Sequence, residues 1–317
     1  MHARTLAVTA LVAAMILVGS SVAVGRILAT TLPIHFASMV RFALASLVLV
    51  PLTMVLEGRF PRIAPRTLAI LAAQSLCGSF LFTVCLLEGL RLTGAADAGV
   101  VAATTPAMVA LLGWLLFRER PSRRALAGIV TTVAGVAAVS ATPADAHGAS
   151  SALLGNGLVS LAVVFEAAFL LLRRAVDEPL SPLAAAMWVS LLGFFLFLIP
   201  GLWQVGEITA GSMTPWAVAE LAYYGLGVTA AAYMLWFYGV VRVEAATAGV
   251  VTGVMPVAAL AFAAWLCGEG IGVRQLAGCA GVLAGIAILS GIGRKKRPGG
   301  NLSCRKVLPP GPLSKDF

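Results

Sequence analysis

Apolar residues run along this chain in blocks of about 20, cut by short polar clusters. The blocks lie roughly at 5–25, 33–56, 67–90, 97–117, 124–141, 152–172, 182–201, 215–240, 246–267 and 273–292. A helix needs about 20 mostly apolar residues to cross the hydrocarbon core of a bilayer. Each block therefore predicts one crossing. The alternation of apolar and polar positions that marks a membrane β-strand is absent, which argues against a barrel. The pattern predicts an all-α polytopic membrane protein with ten transmembrane helices.

Composition agrees. Of 317 residues, 60% are hydrophobic and only 11% charged, against about 25% charged in a typical soluble domain. The mean hydropathy is +0.98. So much apolar surface cannot be hidden from water, so lipid is the solvent for most of the chain.

Positive charge orients the crossings. With a cytoplasmic N-terminus, 18 of the 22 Lys and Arg fall on cytoplasmic segments, and only Arg26, Arg41, Arg91 and Arg274 do not. This positive-inside bias predicts that both termini face the cytoplasm of an inner membrane. The net charge of +9 does not point to nucleic acid, because the RKKR run at 294–297 follows the last apolar block, where anionic headgroups lie. Residues 294–317 read as a disordered basic cytoplasmic tail, being rich in Pro, Gly and charge. Arg4 with the stretch behind it also resembles a signal peptide, but discarding that block breaks the symmetry described next.

The chain repeats itself. Residues 96–106 read ADAGVVAATTP and residues 246–256 read ATAGVVTGVMP. Aligned at an offset of 150, segments 89–140 and 239–290 share 18 of 52 positions, among them Gly99/Gly249, Pro106/Pro256 and Glu119/Glu269. Pro33/Pro182 and Pro51/Pro200 extend the match at an offset of 149. Two five-helix units follow, residues 1–141 and 142–293. Five is odd, so the second unit enters the membrane upside down. Such inverted repeats are a hallmark of secondary transporters.

The ten-helix plan, the pair Arg41–Phe42, the run YMLWFYGV at 233–240, the AGVV…P pattern of both units, and Glu119 and Glu269 resemble the EamA-type branch of the drug/metabolite transporter superfamily. The resemblance covers roughly residues 5–292 as two tandem units. It implies transport of small molecules such as amino acids, metabolites, dyes or nucleotide sugars, without naming the cargo. It also implies that Glu119 and Glu269 organise a helix junction. Each stands just before the next helix, whose positive N-terminus it is placed to meet.

Five side chains are candidates for substrate binding or coupling: Arg41, Gln74, Glu166, Tyr233 and Trp236. Arg41 lies about 12 Å into its helix at the helical rise, a depth at which a charge faces protein or water. It either pairs with an acid such as Glu88 or anchors an anionic group. Glu166 is a lone intramembrane acid, a candidate for carrying protons, with a bond to serines of a neighbouring helix as the plain alternative. Gln74 is placed to bond cargo or another helix. Tyr233 and Trp236, three apart, share a helix face suited to flat or cationic molecules. Tyr223 and Tyr224 read as belt or packing residues; Glu88, Asp97, Glu220 and His35 fall near the outer ends of their spans, where most read as interfacial and solvated.

Pro106 and Pro256 interrupt corresponding helices and deny a hydrogen bond to the carbonyls of Ala102 and Thr252. Paired interruptions mark the transport site of repeat-built carriers. The helices holding Gly128, Gly135, Gly278, Gly281 and Gly285 read as close-packing elements away from the path.

These features predict a secondary active transporter that exports small metabolites, amino acids or drug-like compounds by alternating access, coupled to protons. Importers and lipid or nucleotide-sugar translocators share such a plan. No GxxxxGK[ST] loop, HExxH or GxSxG is present, so neither direct ATP drive nor those enzyme classes are expected. No cofactor, metal site or nucleic-acid partner is expected; Cys77, Cys85, Cys267 and Cys279 read as packing residues. The expected partners are a small-molecule substrate, protons and the bilayer, with the oligomeric state open, a homodimer included.

Overall fold

The computed structural model describes residues 2–118, 122–140, 149–209, 211–243 and 245–290, and no strand occurs among them. Helix α1 is His2–Thr31, α2 is Ile34–Glu57 and α3 is Pro65–Leu92. Helices α4, Ala95–Ala102, and α5, Thr105–Phe117, form one pair bent by 42°. Then come α6, Arg123–Ser140, α7, Ala149–Leu172, α8, Pro182–Trp203, and α9, Pro215–Val240. A second interrupted pair, α10, Ala245–Val251, and α11, Val254–Cys267, precedes α12, Val273–Ser290.

Among the described residues, eight helices are long and apolar enough to cross a membrane, or nine when the bent α4–α5 pair counts as one. The expected crossing at 124–141 corresponds to α6, which opens on Arg123 and Arg124 and is not among them. The outer surface is apolar, with Leu47, Val55, Trp203 and Val273 between 72% and 83% exposed. Such a surface suits lipid rather than water.

Local chemistry starts the helices where the sequence changes. Pro65, Pro182 and Pro215 occupy first-turn positions, where a missing N–H costs nothing. The hydroxyls of Ser181 and Thr214 accept the amides of Ala184 and Ala217 at 3.0 and 3.1 Å, capping α8 and α9.

The interruptions correspond between the halves. Turns at Ala103–Thr104 and Thr252–Gly253 break the two proline-bearing helices at places one residue apart in the repeat alignment. Wider π turns replace α geometry at Leu76–Leu81 within α3 and at Tyr223–Ala231 within α9. π turns often mark functional places in helices.

Packing obeys the same exchange. Helix α1 packs on α9 and α11, while α7 packs on α3 and α5; α2 pairs with α8 and α6 with α12. Swapping the halves maps this pattern onto itself. The largest apolar cluster joins both halves through Val22, Leu87, Val100, Val159, Ala259 and Val282. At the α6–α12 contact, a Cβ on Gly135 would lie 2.9 Å from the Gly278 carbonyl oxygen. Only glycine lets those backbones approach so closely.

Candidate functional site

Two charged side chains, Arg41 and Glu166, each end on a threonine at a helix interruption. Arg41 leaves α2 and its Nε donates to Thr229 Oγ1 at 2.7 Å. Thr229 belongs to the π turn of α9, and its hydroxyl donates to the Tyr224 carbonyl at 3.0 Å. The guanidinium also lies 4.4 Å from the Tyr224 ring centroid and 5.0 Å from that of Phe42, within cation–π range. The alternative acid, Glu88, pairs instead with Arg91 at 3.3 Å on the exposed side of α3.

Glu166 leaves α7 and meets the hydroxyl of Thr105 at the start of α5. The same hydroxyl lies 2.9 Å from the Ala102 carbonyl oxygen, the acceptor that Pro106 cannot serve. In the second half, the corresponding Thr252 carbonyl accepts the Met255 amide at 3.1 Å, and no acid is joined to it. The two breaks therefore match in backbone and differ in chemistry. Glu166, Thr105, Arg41 and Tyr233 are all partly accessible. The Tyr233 phenol lies near enough to Arg41 and Glu166 for both charges to act on it. Arg41 of α2 and Glu166 of α7 thus both bear on Tyr233 of α9.

Other expected residues fall elsewhere. Tyr233 packs against the cluster that holds Ala45, Leu49 and Met187, whereas Trp236 packs against the one that holds Leu11, Met15 and Val251; a separation of three residues leaves about 60° between them, enough to address different neighbours. Gln74 is buried, and its Nε2 donates to the Phe169 carbonyl at 3.0 Å, tying α3 to α7. Tyr224 is 3% exposed and lies under Arg41 instead of in an interfacial belt. Tyr223 shares a hydrogen bond of 2.6 Å with Ser20. Pro106 and Pro256 stand just inside α5 and α11.

The acids near span ends correct a second expectation. Asp97 is 2% exposed and Glu220 7% exposed, so neither is solvated. Asp97 accepts Arg274 Nη2 at 3.0 Å and Gln275 Nε2 at 2.9 Å. Glu269 accepts the amides of Ala95 and Ala96 at 2.7 and 2.8 Å and pairs with Arg26 at 3.3 Å. It does meet a helix N-terminus, but that of α4 across the repeat, not that of the next helix, α12. Glu119 lies outside the described residues. Sequence reasoning passed over Thr105 and Thr229. Thr105 had a signal, a hydroxyl residue directly before the interrupting proline; nothing beside Thr229 announced a π turn.

Comparison with known proteins agrees with this architecture. The model of the EamA-like transporter family matches residues 5–141 and again 153–291. An uncharacterized transporter of Bacillus subtilis (strain 168), YetK, is 35% identical over 293 residues, covering 92% of this chain and 88% of that protein. An uncharacterized transporter of Archaeoglobus fulgidus is 26% identical over 260 residues, 81% of this chain and 88% of the relative. A solved crystal structure superposes with a TM-score of 0.62 over 93% of this chain and 99% of that chain, at 16% identity; at that identity it speaks for the fold alone. A membrane-spanning helical chain whose two halves each match one unit, and whose relatives are named as transporters, belongs to the EamA-like transporter family.

Proposed function

We propose that the protein is a proton-coupled secondary transporter that exports small amphipathic metabolites, amino acids or drug-like compounds across the inner membrane by alternating access. Its ten crossings form two inverted five-helix units, residues 1–141 and 142–293, with both termini in the cytoplasm. The interior region of Arg41, Glu166 and Tyr233 receives the cargo.

The observation that carries this reading is the Glu166–Thr105–Ala102 chain. A hydroxyl has one hydrogen. When Glu166 holds a proton, its O–H donates to Thr105 Oγ1, and the Thr105 hydrogen serves the Ala102 carbonyl. When Glu166 is ionised, it needs a donor, and the Thr105 hydrogen turns to it. The carbonyl that Pro106 already deprives then loses that hydroxyl at membrane depth, where a lost bond is costly. Loading or unloading one proton therefore changes the stability of the α4–α5 break, and a ligand that alters a local equilibrium shifts the populations of the two states.

The ends of the bundle support the direction. At the end predicted to lie outside, Asp97–Arg274 is an ion pair with side chains 3% and 18% exposed. At the other end, Arg66–Asp177 has side chains 78% and 74% exposed, and such surface pairs contribute about 0–1 kcal/mol. Of these two described ion pairs the cytoplasmic one is the more exposed, as suits a carrier that loads from inside.

Reconstitution into liposomes with an imposed pH gradient, using labelled amino acids and dyes as cargo, tests the reading. Glu166→Gln keeps the protein inserted and exchanging cargo but abolishes acceleration by the gradient. Uptake kinetics of the variant that match the parent at every pH exclude Glu166 from coupling.

A further inference from the structure

A second feature involves none of Arg41, Glu166 and Tyr233 and has no part in the cycle proposed above. Between α1, α9 and α11 is a cavity of about 290 Å³ lined by Ile27, Trp216, Glu220, Tyr223, Phe262 and Trp265, among others. An adjoining cavity of about 220 Å³ shares Ile27, Trp216 and Glu220 and extends to Gly211 and Ser212 before α9. Trp216 and Trp265 are 69% and 75% exposed, so this hollow opens sideways toward lipid.

Glu220 is the anomaly. It is 7% exposed, and its Oε1 is buried with no hydrogen-bond partner. A buried carboxyl oxygen without a partner is costly to keep. The carboxylate does meet the Trp216 side chain, but the neighbouring hydroxyls are not directed to it, since Ser20 and Tyr223 bond each other. Among the described residues, no Lys or Arg lines either cavity. Arg26, next to Ile27 of the lining, pairs with Glu269. The rest of the wall is aromatic and aliphatic, and ring faces attract cations.

We propose that this hollow is a lateral binding site for a monovalent organic cation with an apolar body. The cationic head pairs with Glu220 once its side chain turns Oε1 into the hollow, the faces of Tyr223, Phe262 and Trp265 hold the body, and entry is from the bilayer past Trp216 and Trp265. The occupant is a free solute dissolved in the membrane. An ammonium lipid headgroup has the same charge chemistry and is separated by the test.

The test uses the full chain in nanodiscs of phosphatidylglycerol alone, with tritiated benzyltrimethylammonium as probe and neopentylbenzene, its neutral carbon isostere, as competitor. Binding is expected to saturate, to weaken about tenfold or more in Glu220→Gln, to weaken in Trp265→Ala, and to persist in Glu166→Gln. Neopentylbenzene competes poorly. Equal competition by it, or unchanged binding in Glu220→Gln, overturns the proposal. Loss in Glu166→Gln alone moves the cation to the interior site and overturns it too. Displacement by added phosphatidylethanolamine overturns the free solute in favour of a lipid headgroup. A p-azidobenzyl analogue of the probe on the unmutated protein needs no variant: labelling of 20–27, 216–223 and 262–266 supports the site, and labelling confined to other segments refutes it. Gradient-driven transport is read separately, so a failure here leaves the coupling role of Glu166 standing.

Discussion

Glu166 and Thr105 are hydrogen-bonded across α7 and α5, and the same threonine hydroxyl lies 2.9 Å from the Ala102 carbonyl oxygen. One small side chain thus links an intramembrane acid to the place where a helix is interrupted. Arg41 and Thr229 repeat the arrangement with the opposite charge at the π turn of α9.

Removing that link tests it directly. Thr105→Val keeps the shape and deletes the hydroxyl, leaving both Glu166 and the Ala102 carbonyl without this partner. An unsatisfied buried polar group costs about 1–3 kcal/mol, so gradient-driven uptake in proteoliposomes is expected to fall about tenfold or more. Thr105→Ser, which restores the hydroxyl, recovers most of the rate. Equal rates for the valine and serine variants show that the hydroxyl has no role.

The Asp97–Arg274 pair predicts a stability effect. Its carboxylate is nearly fully enclosed and also accepts Gln275. Taking away one member of a buried pair typically costs about 3–5 kcal/mol, because the other is left uncompensated. Asp97→Ala and Arg274→Ala should each lower the unfolding midpoint in detergent, and the double variant should lose less than the sum of the two. Strict additivity in that cycle refutes the coupling.

Arg118 ends α5 with φ of 54°, whereas Gly268, its counterpart in the repeat, ends α11 with φ of 66°. A left-handed residue with a Cβ costs roughly 1–2 kcal/mol, partly offset by the entropy of glycine in the unfolded chain. Arg118→Gly is therefore expected to stabilise the protein by about 1 kcal/mol, read as a raised melting temperature in detergent. A lowered temperature shows that the arginine side chain matters more than its backbone.

Topology has its own check. Tags at the two termini, probed with an impermeant reagent in intact cells, are expected to be protected together and to react only after permeabilisation. Reaction of one alone implies an odd number of crossings and removes the two inverted units.

The helices were legible because lipid demands long apolar runs, and the α4–α5 break was legible because Pro106 cannot donate a hydrogen bond. The π turns were not: nothing in LCGSFL or YYGLGVTAA replaces a donor, and the widening becomes visible only in the folded helix. Asp97 and Glu220 read as solvated because position along a helix was all the sequence offered; whether a neighbouring helix covers the spot is a lateral fact. Glu269 followed the same logic. A carboxylate beside a chain turn was bound to find a positive helix end, but which one depended on how the halves dock.

That carboxylate sets an order of events. Glu269 is made 174 residues after the Ala95 amide it receives. When the first unit leaves the ribosome, the start of α4 still lacks its acceptor, and it keeps lacking it until nearly the whole polypeptide has been threaded. Neither unit alone can complete this junction, so separately synthesised halves must meet before the first one acquires its final shape.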